Sequence, residues 1–205
     1  GRLKQVDRER SLQALMTVNL LKRLESSIHA FRLTLTFLEK NISNVIAKID
    51  DFDARAADDE VSIAPLMGYD QDENGELLNP EDLIGNKLKI HLADMDRLSW
   101  RMDLDGDREI IKGLLRMIAT IDTKNDAKLQ HVKSHIIEKL QHPINPGNHK
   151  VIIFTAFADT ANYLYENIAP FLLENYGLHS AKITGNDNTS TIKNRVKSRQ
   201  SYDMQ

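Results

Sequence analysis

Leu21, Leu24, Ile28, Phe31, Leu35, Leu38, Ile42, Val45 and Ile49 set an apolar residue alternately three and four positions along the chain. That alternation is the 3.5-residue repeat of a narrow seam on one helix face, and no Gly or Pro interrupts it. The pattern predicts one helix of roughly forty residues, about 60 Å long at its ordinary rise per residue. A helix of that length needs a partner along its seam. Leu88, Leu92, Met95, Ser99 and Met102 mark one later stripe with a polar gap; Ile111, Leu114, Leu115, Ile118 and Ile121 mark a second. A third, Leu129, Val132, Ile136 and Leu140, starts after the N-cap candidate Asp126 and stops near Pro143. The expectation is a mainly α chain built as a long antiparallel helical hairpin or small bundle.

The last quarter reads differently. Val151 to Phe154 is a continuous apolar run of the kind found in parallel strands buried on both faces, with Asp159 as the next helix N-cap and Leu164 and Ile168 at helical spacing. Ala181 to Thr184 reads as a second strand. The chain is therefore expected to divide into a helical region, 1–148, and an α/β part, 149–205. Within the first, Phe52 to Gly85 has the composition of a loop or insertion, with Pro65, Gly68, Gly75 and Pro80 and little periodic apolar content.

Charge is uneven. Gly1 to Lys40 carries eight Lys/Arg against four Asp/Glu, Asp50 to Glu109 six against eighteen, and Ile110 to Gln205 twelve against eight. Basic ends of this kind fit either nucleic-acid contact or solvated helix faces. The chain has no cysteine, which excludes disulfides, thiolate catalysis and Cys-ligated metal centres. It also has no apolar run near the ~20 residues of a membrane span, so a cytoplasmic address and no membrane partner are the default expectations.

Four constellations stand out. Asp70 to Glu81 fits the calcium-loop pattern, with Asp70, Asp72, Asn74 and Glu81 as oxygen ligands around Gly75. Pro65 and Gly68 fall where its entering helix should run, so an acidic exposed turn is the first reading and calcium the second. His131 and His135 are one helical turn apart, as in zinc proteases, but Val132 stands where the catalytic Glu should be. They read as a surface or packing pair, and Trp100 as a core aromatic. Arg23, Ser26 and Ser27, in RLESS, sit beside the Leu-rich seam and read as a solvated face or a close helix contact.

LLKRLESSIHAF at Leu20 to Phe31, Asp126, Lys128 and Leu129 in NDAKLQ, and Lys150 to Phe154 with the turn Thr155 to Asp159 form an ordered set. The set resembles the succession in bacterial Swi/Snf-type superfamily 2 helicases and translocases, where a helical region joins two RecA-like lobes. The resemblance implies a partial RecA-like parallel sheet, with Val151–Phe154 and Ala181–Thr184 as neighbouring parallel strands. It implies nucleic-acid contacts at Thr155, Phe157, Thr184 and Gly185, with Lys193 or Arg195 in the following helix. It implies contacts to a partner lobe from Arg23, Ser26, Ser27 and Lys128.

The chain is then expected to be a fragment cut inside the second lobe, with ATP and Mg²⁺ as cofactors of the parent and none bound here. No Gly-Lys pair is present to build a phosphate-cradling loop, and Asp58 to Glu60 follows ARAA instead of an apolar strand, so the chain alone is expected not to hydrolyse ATP. The expected partners are nucleic acid, DNA before RNA, and the first lobe of the same parent. Self-association through the helices or an exposed sheet edge is a further expectation. The competing reading is a coiled-coil interaction module resting on the four heptads from Leu21 to Ile49.

Overall fold

A computed structural model of the chain describes residues 5–55, 60–62, 89–92, 95–185 and 187–192. The order is α1 (Gln5–Ser26), α2 (Ile28–Arg55), β1 (Glu60–Ser62), β2 (Lys89–His91), α3 (Arg97–Ala119), α4 (Ala127–Gln141), α5 (Ala158–Tyr176), β3 (Ala181–Ile183) and β4 (Asn188–Ser190). The architecture is mainly helical, and the described strands form two small antiparallel pairs, β1 with β2 and β3 with β4.

The seam finds its partner in α3. From α2, Leu35, Leu38, Ile42, Val45, Ile46, Ile49 and Phe52 are buried, and they meet Leu104, Ile111 and Ile118 of α3, seven residues apart. Trp100 packs partly buried against the same core. Polar contacts at both ends fix the direction. Arg97 and Arg101, opening α3, bond Asp53 and Asp50 near the end of α2, at 2.8 and 2.5 Å. At the other end Arg32 donates to the carbonyls of Ile118 and Ile121, both at 2.8 Å, tying α2 to the end of α3. The two helices are thus an antiparallel hairpin.

Two helical expectations change. The forty-residue helix is two helices broken at Ser27, whose hydroxyl accepts the Ala30 amide at 3.0 Å and so caps the start of α2. Backbone bonds from Ser27 N to Arg23 O and from Phe31 N to Ser27 O carry the helical path through the break. The apolar period continues across it in sequence only: Leu21 and Leu24 are 52% and 38% exposed, and the seam packs on the core from Ile28 onward. The stripe from Leu88 to Met102 is also not one helix. Residues 89–91 are β2, and α3 starts only after Asp96, whose carboxylate accepts from the Ser99 amide. Met102, counted in that stripe, is exposed. Phe52, expected to open the insertion, is buried inside α2; most of 52–85, including the calcium-loop residues Asp70, Asp72, Asn74 and Glu81, lies outside the described residues.

α4 has the expected bounds: Asp126 caps it through the Leu129 amide at 3.0 Å, and it ends at Gln141 before Pro143. Its inner face, Leu129 and Ile136 with Val132 and Leu140, packs on Tyr163, Ile168 and Leu172 of α5 in a second core. α5 closes at Gly177, whose φ of +65° suits glycine, with Leu178 N bonded back to Leu172 O.

The parallel sheet is the main correction. Val151–Phe154 joins no strand pairing among the described residues, and Ile152 and Phe154 are 78% and 91% exposed. Ala181–Ile183 pairs instead with Asn188–Ser190, antiparallel, Lys182 opposite Thr189. A strand needs a neighbour to complete its ladder, and apolar content alone does not supply one. The segments 150–154 and 178–185 line a shared cleft of about 880 Å³ floored by α5.

Candidate functional site: a polar junction at the α1–α2 break

The break at Ser27 turns three adjacent polar side chains toward the start of α5. Arg23, in the last turn of α1, is fully buried. Its Nη2 is ion-paired with Asp159 in the first turn of α5, its Nε donates to the Ala30 carbonyl at 3.4 Å, and its guanidinium lies 5.0 Å over the Phe157 ring. Asp159 keeps 20% side-chain exposure against 1% for Arg23, so water reaches one partner and not the other. A carboxylate here also faces the positive end of the α5 dipole.

That position differs from the expected one. The N-cap of α5 is Phe157, which makes no side-chain cap bond, and Asp159 lies inside the helix. Pairing with a buried guanidinium outweighs capping because an uncompensated buried charge costs more than a lost cap.

Beside the ion pair runs a chain of hydroxyls. Ser26 Oγ lies 2.7 Å from Thr160 Oγ1 and 3.4 Å from Thr155 Oγ1, and Ser27 Oγ lies 2.9 Å from Thr160 Oγ1. Each hydroxyl has one proton and two lone pairs, so such a chain can be satisfied throughout. Lys128, at the start of α4, reaches over to donate to the Glu25 carbonyl at the end of α1. Asp126 holds the adjoining corner. One carboxylate oxygen caps α4 and the other accepts from the Tyr163 hydroxyl at 2.9 Å, while the Tyr163 ring stacks on His29 of α2 with centroids 4.9 Å apart. Burial first, and then the Asp126 carboxylate, push the Tyr163 hydroxyl well above the ordinary tyrosine range.

Of the residues singled out from the sequence, Arg23, Ser26, Ser27, Lys128, Thr155 and Phe157 come together here. Phe157 is buried beneath Arg23, so its ring face is not open for stacking on a base. Thr184 and Gly185 lie apart from the junction, in the β3–β4 turn. There the Thr184 hydroxyl accepts from the Asp187 amide at 2.9 Å and donates to its carbonyl at 2.8 Å. Lys182 bonds Asn162 and Asp187 nearby. Lys193 and Arg195 lie outside the described residues.

Sequence reasoning missed Thr160, Tyr163 and the role of Asp159. Spacing gave no signal for the junction: Arg23 lies off the seam set by Leu21, Leu24 and Ile28, yet it is buried while Leu21 and Leu24 are exposed. Chemically the site is a clamp of one ion pair and several hydroxyls; its arginine engages through Nη2 and Nε, while Nη1 is buried with no hydrogen-bond partner among the described residues. A second cleft, about 580 Å³, opens beside it, lined by Ser26, Lys128, Thr155 and Thr160. Among the described residues no group of three or more His, Asp or Glu is arranged to share a metal ion, and no helix is long and apolar enough to cross a membrane. No protein-family model, curated protein or solved structure matches the chain.

Proposed function

We propose that this chain is the coupling segment of an ATP-driven nucleic-acid motor of the Swi/Snf-type superfamily 2 class, joining a helical arm to the opening of a motor lobe. One observation supports this reading. Of the segments that carry the resemblance, Leu20–Phe31, Asp126–Leu129 and the turn Thr155–Asp159, up to 136 residues apart at their contacts, converge on one junction through Arg23–Asp159, Ser26–Thr155 and Lys128–Glu25, whereas Lys150–Phe154 takes no part in it. Coupling requires an arm and a lobe that move as one body, and a buried ion pair with satisfied hydroxyls provides such a connection. The neighbouring parallel strands that the resemblance implies at Val151–Phe154 and Ala181–Thr184 are absent among the described residues, and that counts against this reading.

The residues present do not fit ATP. Arg23 is covered and paired, and the sequence holds no Gly-Lys loop. Nucleotide and Mg²⁺ belong, in this reading, to other parts of the motor, and no step through them is assigned to this chain. With Thr155 and Phe157 engaged at the junction and the Thr184 hydroxyl engaged with Asp187, phosphate contact falls to the backbone at Gly185 and to Lys193 and Arg195. The test is fluorescence anisotropy of labelled duplex DNA, single-stranded DNA and RNA against the purified chain. The expected result is weak binding, with Kd on the order of 10–100 μM at low salt, that weakens steeply as salt rises. Flat anisotropy for all three at protein concentrations well above that range contradicts the proposal.

A second reading, a helical interaction module, is favoured by one observation. Leu98, Met102, Ile110 and Met117 of α3 are all well exposed, on the side away from α2. It predicts concentration-dependent self-association in sedimentation that Met117→Glu abolishes. A monomer at all concentrations removes it.

A further inference from the structure

We propose that His131 and His135 form a two-imidazole chelate for a divalent transition-metal ion of the copper and nickel type, on the outer face of α4. Both residues are exposed, opposite the face that packs on α5. Their Nε2 atoms point at one another across 2.9 Å, with ring centroids 4.3 Å apart and ring planes at 79°. Two nitrogens each about 2.0–2.1 Å from a common ion are about 2.9 Å apart when they subtend a right angle, and about 3.3 Å apart at a tetrahedral angle. Held at this spacing by the hydrogen bond between them, the two nitrogens are already near the separation a common ion requires, and the preference for Cu²⁺ and Ni²⁺ follows from the affinity order of imidazole ligands.

A second observation points the same way. Behind the His135 ring, Nδ1 lies 3.4 Å from a carboxylate oxygen of Glu138, the arrangement in which a carboxylate orients a ligating imidazole. The backbone that carries the pair is also rigid. α4 is capped by Asp126 and anchored on α5 through Leu129 and Ile136, so the two rings need not be ordered at the moment of binding. For an ion to enter, the imidazole that holds its proton on Nε2 takes the Nδ1–H tautomer through exchange with water, so that each neutral ring offers an Nε2 lone pair, and solvent fills the ion's remaining positions. Hard oxygen-seeking ions such as Ca²⁺ and Mg²⁺ have no suitable donors here. Closing one turn of α4 would stiffen the helix that delivers Asp126 and Lys128 to the junction.

The test uses the full chain with Cu²⁺, Ni²⁺ and Zn²⁺ by calorimetry, and Cu²⁺ by electron paramagnetic resonance. The chain has seven histidines, so the readout is the difference between variants. The expected result is one site with affinity Cu²⁺ above Ni²⁺ and Zn²⁺. Its spectrum should show two equivalent nitrogens, and it should be lost in both His131→Gln and His135→Gln. Glu138→Gln should weaken it by about tenfold through the orienting carboxylate. His142→Gln, on the C-cap of the same helix, should leave it unchanged. Unaltered circular dichroism in each variant confirms that the fold is kept. Binding that survives both His131→Gln and His135→Gln, or that falls as far in His142→Gln, overturns the proposal.

Discussion

The α2–α3 hairpin and the junction at the α1–α2 break hold the chain together by opposite means. The hairpin buries a continuous run of Leu, Ile, Val and Phe and ties its helices by arginine contacts near both ends. The junction buries an arginine and two hydroxyls, those of Ser27 and Thr160, half-buries those of Ser26 and Thr155, and lays the Phe157 ring against the guanidinium. Apolar packing is non-directional and tolerates sliding, whereas a buried ion pair with hydrogen-bonded neighbours fixes one register and costs heavily when one member is removed. The hairpin supplies bulk stability, and the junction supplies position.

That contrast can be broken from either side. In the hairpin, Leu35→Ala should cost about 3 kcal/mol in chemical denaturation, because Leu35 is 2% exposed and its neighbours cannot collapse onto the gap. A loss below about 1 kcal/mol would show that this core is loosely packed. In the junction, Asp159→Ala should cost about 3 kcal/mol, since it strands a buried guanidinium. Arg23→Met should cost distinctly less, because the carboxylate left behind is within reach of water. The reverse order would mean that Arg23 is hydrated and that the junction is not a clamp.

Smaller effects sharpen the same contrast. Ser27→Ala removes both the α2 cap and one link to Thr160 and should cost about 1 kcal/mol. Tyr163 gives a pH signature. Its folded pKa is raised above the ordinary value of 10.0, so its contribution is fully present below pH 10. Above that pH the unfolded chain loses the proton first, and stability falls as pH rises further. Denaturation midpoints measured from pH 9 to 11 should decline in the native protein and decline less in Tyr163→Phe. Equal slopes would place the Tyr163 hydroxyl in solvent.

The hairpin was legible in the sequence because its information is local and periodic: Leu35 to Ile49 are buried as their spacing requires, and Asp126 and Pro143 bound α4 as their backbone chemistry requires. The break at Ser27 was not, since the seam continues across it through Leu24, Ile28 and Phe31 and only the cap to Ala30 marks it. Val151–Phe154 misled for a different reason. An apolar run states what a segment would bury as a strand, while its ladder partners lie elsewhere in the chain. At the junction the residue types RLESS were visible, but Asp159 and Thr160 are more than 130 positions away and carry no periodic signal.

The central claim is that the junction, separately from the hairpin, fixes α5 to the arm, and amide hydrogen exchange on Asp159→Ala tests it most directly. Protection should fall together at 26–30 and 158–163 and stay unchanged at 38–49 and 111–118. Equal loss over all four segments, or no loss at the first two, would contradict it.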